Sequence, residues 1–301
     1  MIINKKKSKG PAKDSSEKFV TGLAVVVSIL MVLICLLPCI HVLATSVSSG
    51  NAEVAGRVGL WPVDFQLEGI KTIVVGTNFM KSLWNSLYVT IVGTIISLTI
   101  TTMFAYAMSK THLKGRKLLT IMCIIAMVFS GGMVPEYIVM KKLGLMNTFW
   151  SLILPRGMTI FNMLLIKNYF EGLPESVMES ANIDGAGEFR TLVSIVLPMS
   201  TPVIATTGLL YAIAYWNNYL HPVLYINDPS MRTLQVFLRD LLADVGTVTE
   251  QLERSPETVG LVSAGVITAG VTVLGVIPIL MLYPFVQRYM VQGITIGSEK
   301  G

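Results

Sequence analysis

The sequence predicts an all-α, polytopic membrane protein with six transmembrane helices. Of its 301 residues, 52% are hydrophobic and 14% charged, with a mean hydropathy of +0.65. A soluble domain carries about 25% charged residues, so this composition excludes a soluble fold. Apolar runs recur along the chain, and a hydrocarbon core about 30 Å thick needs roughly 20 apolar residues per helix. Basic residues gather in two clusters beside those runs.

A tail over residues 1–18 holds Lys5, Lys6, Lys7, Lys9, Lys13 and Lys18. The apolar run behind it is too long for the h-region of a secretory signal, about 7–15 residues, and lacks a small-residue cleavage site. It is read as an uncleaved first helix, with Pro38 inside it. Six segments meet the length requirement: residues 20–45, 83–108, 118–140, 148–166, 201–226 and 259–286. The third is interrupted by Gly131, Gly132 and Glu136, so its span is expected to end near Val134 and to continue as an irregular or short helix.

Six spans put both ends on one side, and the lysine-rich tail marks that side as cytoplasmic. The second cluster, Lys110, Lys114, Arg116 and Lys117, then also falls inside. The positive-inside rule accounts for both clusters, and no nucleic-acid partner is expected. The membrane-spanning domain is taken as residues 19–290, with a loop at 171–198 and a cytoplasmic C-terminal tail at 291–301. Residues 46–81 and 227–257 fall outside. In the latter, Leu234, Phe237, Leu238, Leu241 and Leu242 recur at helical spacing, which predicts an amphipathic helix on the outer rim. Cys35, Cys39 and Cys123 sit in apolar runs and read as small hydrophobic residues rather than metal ligands or disulfide partners.

The loop is a polar island between apolar segments. Pro174 opens a helix there, Glu175 and Glu179 lie near its positive end, and Gly185 stands where a left-handed C′ residue would close it. A second helix follows through Phe189, Leu192 and Ile195, and Pro198 marks the turn into the fifth span.

The spacing of Glu179, Ala181 and Gly185, then nine residues, then Ile195, Leu197 and Pro198 resembles the cytoplasmic coupling loop of binding-protein-dependent ABC importer permeases. One departure is Ser180, where that family usually has Ala. Further stretches resemble the carbohydrate-uptake class, including Gly131–Pro135, Leu143–Thr148, Tyr215–Asn218, Leu234-Gln235, Gln287–Tyr289, Gly293–Thr295 and Lys300-Gly301. Within it the chain is most similar to the maltose-type second permease, in the subgroup for complex or polysaccharide-derived oligosaccharides.

The resemblance implies a type I ABC importer permease fold. It also implies that the loop docks in a cleft of an ATPase subunit. Glu179, Ser180 and Asp184 would lie at that contact, with Glu179 and Asp184 making polar contacts. Ala181 would allow close approach, Gly185 would make the turn and Pro198 would end the element. Two ATP-binding subunits would hold ATP and Mg, a second permease would complete the pore, and an extracytoplasmic binding protein would deliver the sugar.

For a ligand path, Tyr215, Trp216, Asn217 and Asn218 crowd the fifth span, where amides can bond sugar hydroxyls and rings can cover apolar sugar faces. Such polar residues also serve as glue between helices, so both readings stand. Asn162 is a further candidate. Arg156 lies within the fourth span, where a charge faces protein or water. It would pair with Glu136, meet an acidic sugar, or snorkel to the surface.

No G-x-x-x-x-G-K-[ST] phosphate loop occurs, so the chain is not itself the ATPase. Gly185-Ala186-Gly187 starts like a dinucleotide fingerprint, but Arg190 occupies the third glycine position. His41, His112 and His221 are scattered, with no nucleophile–base pairing. A translocation subunit that is not an enzyme and carries no cofactor is therefore expected. The alternative, an ion-coupled secondary transporter, needs a membrane-embedded acid, for which Glu136 is the candidate.

Overall fold

The computed structural model describes residues 15–129, 131–183, 185–246, 262–278 and 280–281. All regular structure among them is helical. In chain order the helices are α1 (Ser15–Ser46), α2 (Gly50–Val54), α3 (Glu68–Gly76), α4 (Phe79–Ser109), α5 (Arg116–Val128), α6 (Met133–Lys142) and α7 (Trp150–Ile153). They continue as α8 (Ile160–Glu171), α9 (Glu175–Ile183), α10 (Glu188–Thr191), α11 (Leu197–Met199), α12 (Thr201–Trp216), α13 (Leu220–Tyr225), α14 (Leu234–Ala243) and α15 (Ala264–Pro278).

The chain forms two compact units. In the first, α1 exposes nearly all its apolar side chains from Phe19 to Leu43, as a helix facing lipid does. Behind it, Ser49 caps α2 by accepting from the Ala52 N–H, and Ser48 Oγ accepts from the Val63 N–H at 3.0 Å.

The second unit is organised by α4, which packs against α8 and α12. One face of α4 carries Ser82, Ser86, Thr90, Gly93, Ser97, Thr101 and Ala105, all buried, at spacings of three and four. Small side chains at this spacing let helices approach closely. Gly93 shows how closely: a Cβ there would lie 2.8 Å from the Tyr215 ring. Some hydroxyls of the same stripe bond across to neighbouring helices. Thr101 Oγ1 lies 2.6 Å from Tyr211 Oη, and Ser97 Oγ lies 2.7 Å from Tyr215 Oη. Among the described residues, apolar clusters fill the space around α4. One gathers Val89, Leu152, Ile153, Tyr211 and Tyr225, and the other Ala105, Met163, Ile166, Phe170 and Val196.

Among the described residues, α1 and α4 are long and apolar enough to cross a membrane alone, with up to two more spans if broken helix pairs count. Three expected spans are interrupted. The third ends at Val128, ahead of Val134, because Phe129 turns to extended backbone before α6 begins. The fourth breaks at Leu154–Arg156, a 3₁₀ turn containing Pro155, and restarts at Ile160. Proline removes a helical donor and clashes with the preceding turn. The fifth stops at Trp216 and resumes only at Leu220. Of the sixth, residues 264–278 are helical, and the rest lies largely outside the described residues. The amphipathic helix of residues 234–242 forms as α14. It does not lie free on a rim: Leu234, Val236, Leu238 and Leu241 are buried, and Phe237 meets Phe79 of α4 at 6.4 Å.

Candidate functional site

Helix α8 closes at Glu171, and after Leu173-Pro174 the chain forms α9, which contains Glu179 and Ala181. Gly185 has φ +69°, and the Ala186 N–H donates to the Ala181 carbonyl at 3.0 Å. That is the Schellman arrangement, in which a left-handed glycine lets the chain fold back and satisfy a terminal carbonyl. Pro174 stands one residue ahead of the helix rather than at its first position.

The two sides of α9 differ. Ala181 is 4% exposed, and Met178 and Leu173 rest on the cluster around Phe170 and Val196. Ile183 is 85% exposed and Glu179 is exposed as well, so among the described side chains the outward side carries an acidic and a large apolar group. The close approach expected at Ala181 is thus made to this chain's own core. Asp184 and the Ser180 side chain lie outside the described residues.

Beyond Gly185, α10 runs through a π turn at Leu192–Val196 into α11, which contains Pro198. The direction then changes by 87° at Ser200. Pro198 and Pro202 each withhold a helical N–H on either side of the bend.

Charged side chains tie both roots of α9 to the last turn of α4. Before α9, Glu171 accepts from Lys167 at 2.9 Å and from Arg116, whose Nε also donates to the Met108 carbonyl at 2.8 Å. After α9, Glu188 accepts from Tyr106 Oη at 2.6 Å and from Lys110 Nζ at 2.9 Å. Lys110 also sits over the Tyr106 ring at 4.5 Å. The bonds from Tyr106 and Lys110 hold the Glu188 carboxyl below the usual carboxylate range. Burial works against the Lys110 ammonium, but its bonds to Tyr106 and Glu188 prevail and hold it above the usual lysine value. Sequence reading placed Lys110 in a basic cluster and missed this pairing.

The residues proposed for a ligand path fall into two groups. Tyr215 is buried, and its hydroxyl donates to the Ile153 carbonyl at 2.9 Å besides meeting Ser97, so it fastens α12 to its neighbours. Asn162 is buried within α8. The others surround the break after α12. Asn217 ends the helix and is exposed, while Trp216 and Asn218 are buried. The Trp216 indole N–H and the Asn218 carbonyl oxygen have no hydrogen-bond partner among the described residues. Arg156 Nε, in the 3₁₀ turn, is likewise buried without one.

Arg156 does not pair with Glu136. Glu136 instead accepts from Tyr225 Oη at 3.0 Å and faces His221 Nε2 at 3.3 Å. His221 Nδ1 lies 3.4 Å from the Asn218 amide nitrogen, and its ring stacks on Tyr225 at 5.5 Å. This cluster joins α6 to α13. Its only sign in the sequence was an acid within an apolar run.

Comparison with known proteins bears on the whole chain. Residues 117–296 match the family described as "Binding-protein-dependent transport system inner membrane component". The chain is 38% identical over 277 residues to the polygalacturonan/rhamnogalacturonan transport system permease protein YtcP of Bacillus subtilis (strain 168), covering 91% of this chain and 95% of the relative. It is 42% identical to Protein LplC of the same strain, covering 89% and 90%. It also resembles a chain in the crystal structure of a bacterial ABC transporter involved in the import of the acidic polysaccharide alginate. That match has a TM-score of 0.86 and 29% identity, over 93% of this chain and 99% of that one. The chain therefore belongs to the binding-protein-dependent transport system inner membrane components, and is a helical permease subunit of an ABC importer rather than an enzyme.

Proposed function

We propose that this chain forms one half of the pore of an ATP-driven importer of an oligosaccharide. It works beside a second permease subunit and on two ATP-binding subunits that hold ATP and Mg. An extracytoplasmic binding protein supplies the sugar, and both termini are cytoplasmic. The observation that carries this reading is α9. It is a short helix closed by Gly185, seated on the core through Met178 and Ala181, and presenting Glu179 and Ile183 outward. A polar element held this rigidly, with a large apolar side chain left bare, suits a docking partner. By resemblance, that partner is the ATPase.

An acidic oligosaccharide is the favoured substrate. Two relatives carry polygalacturonan/rhamnogalacturonan and alginate in their descriptions. Arg156 adds a partly buried cation with an unpartnered Nε, and a planar guanidinium suits a uronate carboxylate. Trp216, Asn217 and Asn218 at the α12 break would line the same path, with Tyr215 and Asn162 holding its walls.

The test is uptake of labelled oligogalacturonides by cells carrying or lacking this chain. Uptake that requires the chain, stops when cellular ATP falls and survives collapse of the proton gradient is the expected result. Uptake that follows the proton gradient would contradict the reading.

A further inference from the structure

The charged contacts around α9 have a use beyond holding the fold. The chain enters α9 past Glu171 and leaves it past Glu188, and both carboxylates are bound by groups of the α4 C-terminal turn or the residues just after it. Tyr106 touches both roots at once. Its hydroxyl donates to Glu188, and its ring meets Phe170 edge-on at 6.2 Å and 79°. Helix α4 in turn packs on α8 and α12. A displacement of α9 thus has two attachment points on one rigid 31-residue helix.

The attachments differ in kind. At the Glu171 root the side chains of Lys167, Arg116 and Glu171 are mostly buried, and Arg116 is also bound to the backbone of α4. At the Glu188 root the carboxylate side chain is 57% exposed. The Lys110 side chain is 21% exposed, and an ion pair whose carboxylate is this open to water adds little to folding stability. Its geometry is nonetheless specific: a short O–H···O⁻ bond and an N–H···O⁻ bond meet on one oxygen, Oε2. A contact that contributes little to stability yet holds one defined geometry serves position.

We propose that Glu188, gripped by Tyr106 and Lys110, is the positioning residue that makes α9 and α4 move as one body, so that movement imposed on α9 reaches the membrane helices through α4. This rests on the reading of α9 as the element moved by the ATPase. Without Glu188, α9 would still dock and would still be moved, but it would pivot about the Glu171 root and leave α4 behind.

The experiment uses the complex purified on a tag carried by this chain. Cys35, Cys39 and Cys123 are replaced by Ala, and spin labels are placed at Ile183→Cys on α9 and Ile100→Cys on α4. The distance distribution is recorded without nucleotide and with ATP, Mg and vanadate. In the otherwise unchanged protein, a single narrow distribution is expected in both states, because the two helices move together. In Glu188→Ala and Lys110→Ala, complex yield and ATP hydrolysis stay within about twofold of the parent, as expected for a pair whose carboxylate is open to water. The narrow distribution is lost when nucleotide is trapped. Combining Lys110→Glu with Glu188→Lys restores it.

A distribution that stays narrow in both single variants overturns the proposal. So does loss of complex yield in step with the broadening, or failure of the exchanged pair to recover while both singles broaden. If the parent complex traps no nucleotide, the ATP-driven reading itself fails, which is a separate result.

Discussion

Around the last turn of α4, each acidic group has two partners: Glu171 has Lys167 and Arg116, and Glu188 has Lys110 and Tyr106. Around the break after α12, polar groups are more deeply buried and less completely satisfied. Arg156 Nε, Trp216 Nε1 and Asn218 Oδ1 all lack a partner among the described residues. Leaving a buried donor or acceptor unmet costs about 1–3 kcal/mol, so the second arrangement is the more expensive of the two. Charges that are fully matched inside the protein hold parts in register. Groups left unmatched in an apolar setting invite water or a ligand. On the reading proposed above, the first region would transmit force and the second would receive substrate.

The largest effect is expected from Gly185→Pro. Its φ of +69° is closed to proline, so the turn that ends α9 is lost. Complex should still be recovered from membranes, while uptake falls to background. Normal uptake by well-expressed Gly185→Pro would remove the loop from the transport cycle.

Gly93→Leu comes next and breaks the packing rather than either site. Overfilling a tight helix contact costs about 1–3 kcal/mol, and the Tyr215 ring leaves no room for a Cβ. A lower melting temperature and reduced complex yield are expected. Unchanged stability would mean that α4 and α12 do not approach this closely.

Arg156→Gln sharpens the comparison from the unmatched side. If Arg156 meets a carboxylate, its loss should lower uptake of an oligogalacturonide about ten- to hundredfold, the equivalent of a hydrogen bond to a charged group. Uptake of a neutral oligosaccharide, if it occurs, and ATP hydrolysis should be unaffected. Equal loss for acidic and neutral sugars would assign Arg156 to the fold. Asn218→Ala is expected to weaken uptake more than Asn217→Ala, because Asn218 is buried and Asn217 exposed. The reverse order, measured per assembled complex, would move the path to the exposed side of the break.

The smallest effect concerns pH. The Glu188 pKa is lowered in the folded chain, so its contribution is full above the unfolded carboxylate value, about 4.3, and is lost as pH falls through the lower folded value. The Lys110 pKa is raised, so its contribution is full below the unfolded lysine value, about 10.4, and is lost as pH rises through the higher folded one. The pair should therefore hold its geometry unchanged between about pH 5 and 9. Spin-label distances from α9 to α4 that shift within that window would contradict the pairing.

How much of this was legible in the sequence depended on range. The turn at Gly185 was legible because it is local: helix, left-handed residue and return occupy six consecutive residues, from Ala181 to Ala186. The two long helices were legible as unbroken apolar runs. The breaks at Pro155 and Asn217 were missed although Pro155-Arg156-Gly157 and Asn217-Asn218 interrupt the apolar runs there, because hydropathy summed over a whole span does not register where the backbone stops being helical. The clasp on Glu188 could not be read from spacing, since Tyr106 lies 82 residues away and only the fold brings them together. The same holds for Glu136, whose partners come from α13 rather than from Arg156.

The account is tested most directly by what α9 touches in the assembled transporter. A photo-reactive cross-linker at Ile183→Cys, 85% exposed, is compared with one at Trp61→Cys, 82% exposed on the other unit, in a chain whose native cysteines are replaced. The prediction is that Ile183→Cys captures the ATP-binding subunit and that Trp61→Cys does not. Capture of that subunit from Trp61→Cys alone, or from neither position in an assembled and active complex, would contradict the assignment of α9 as the docking element.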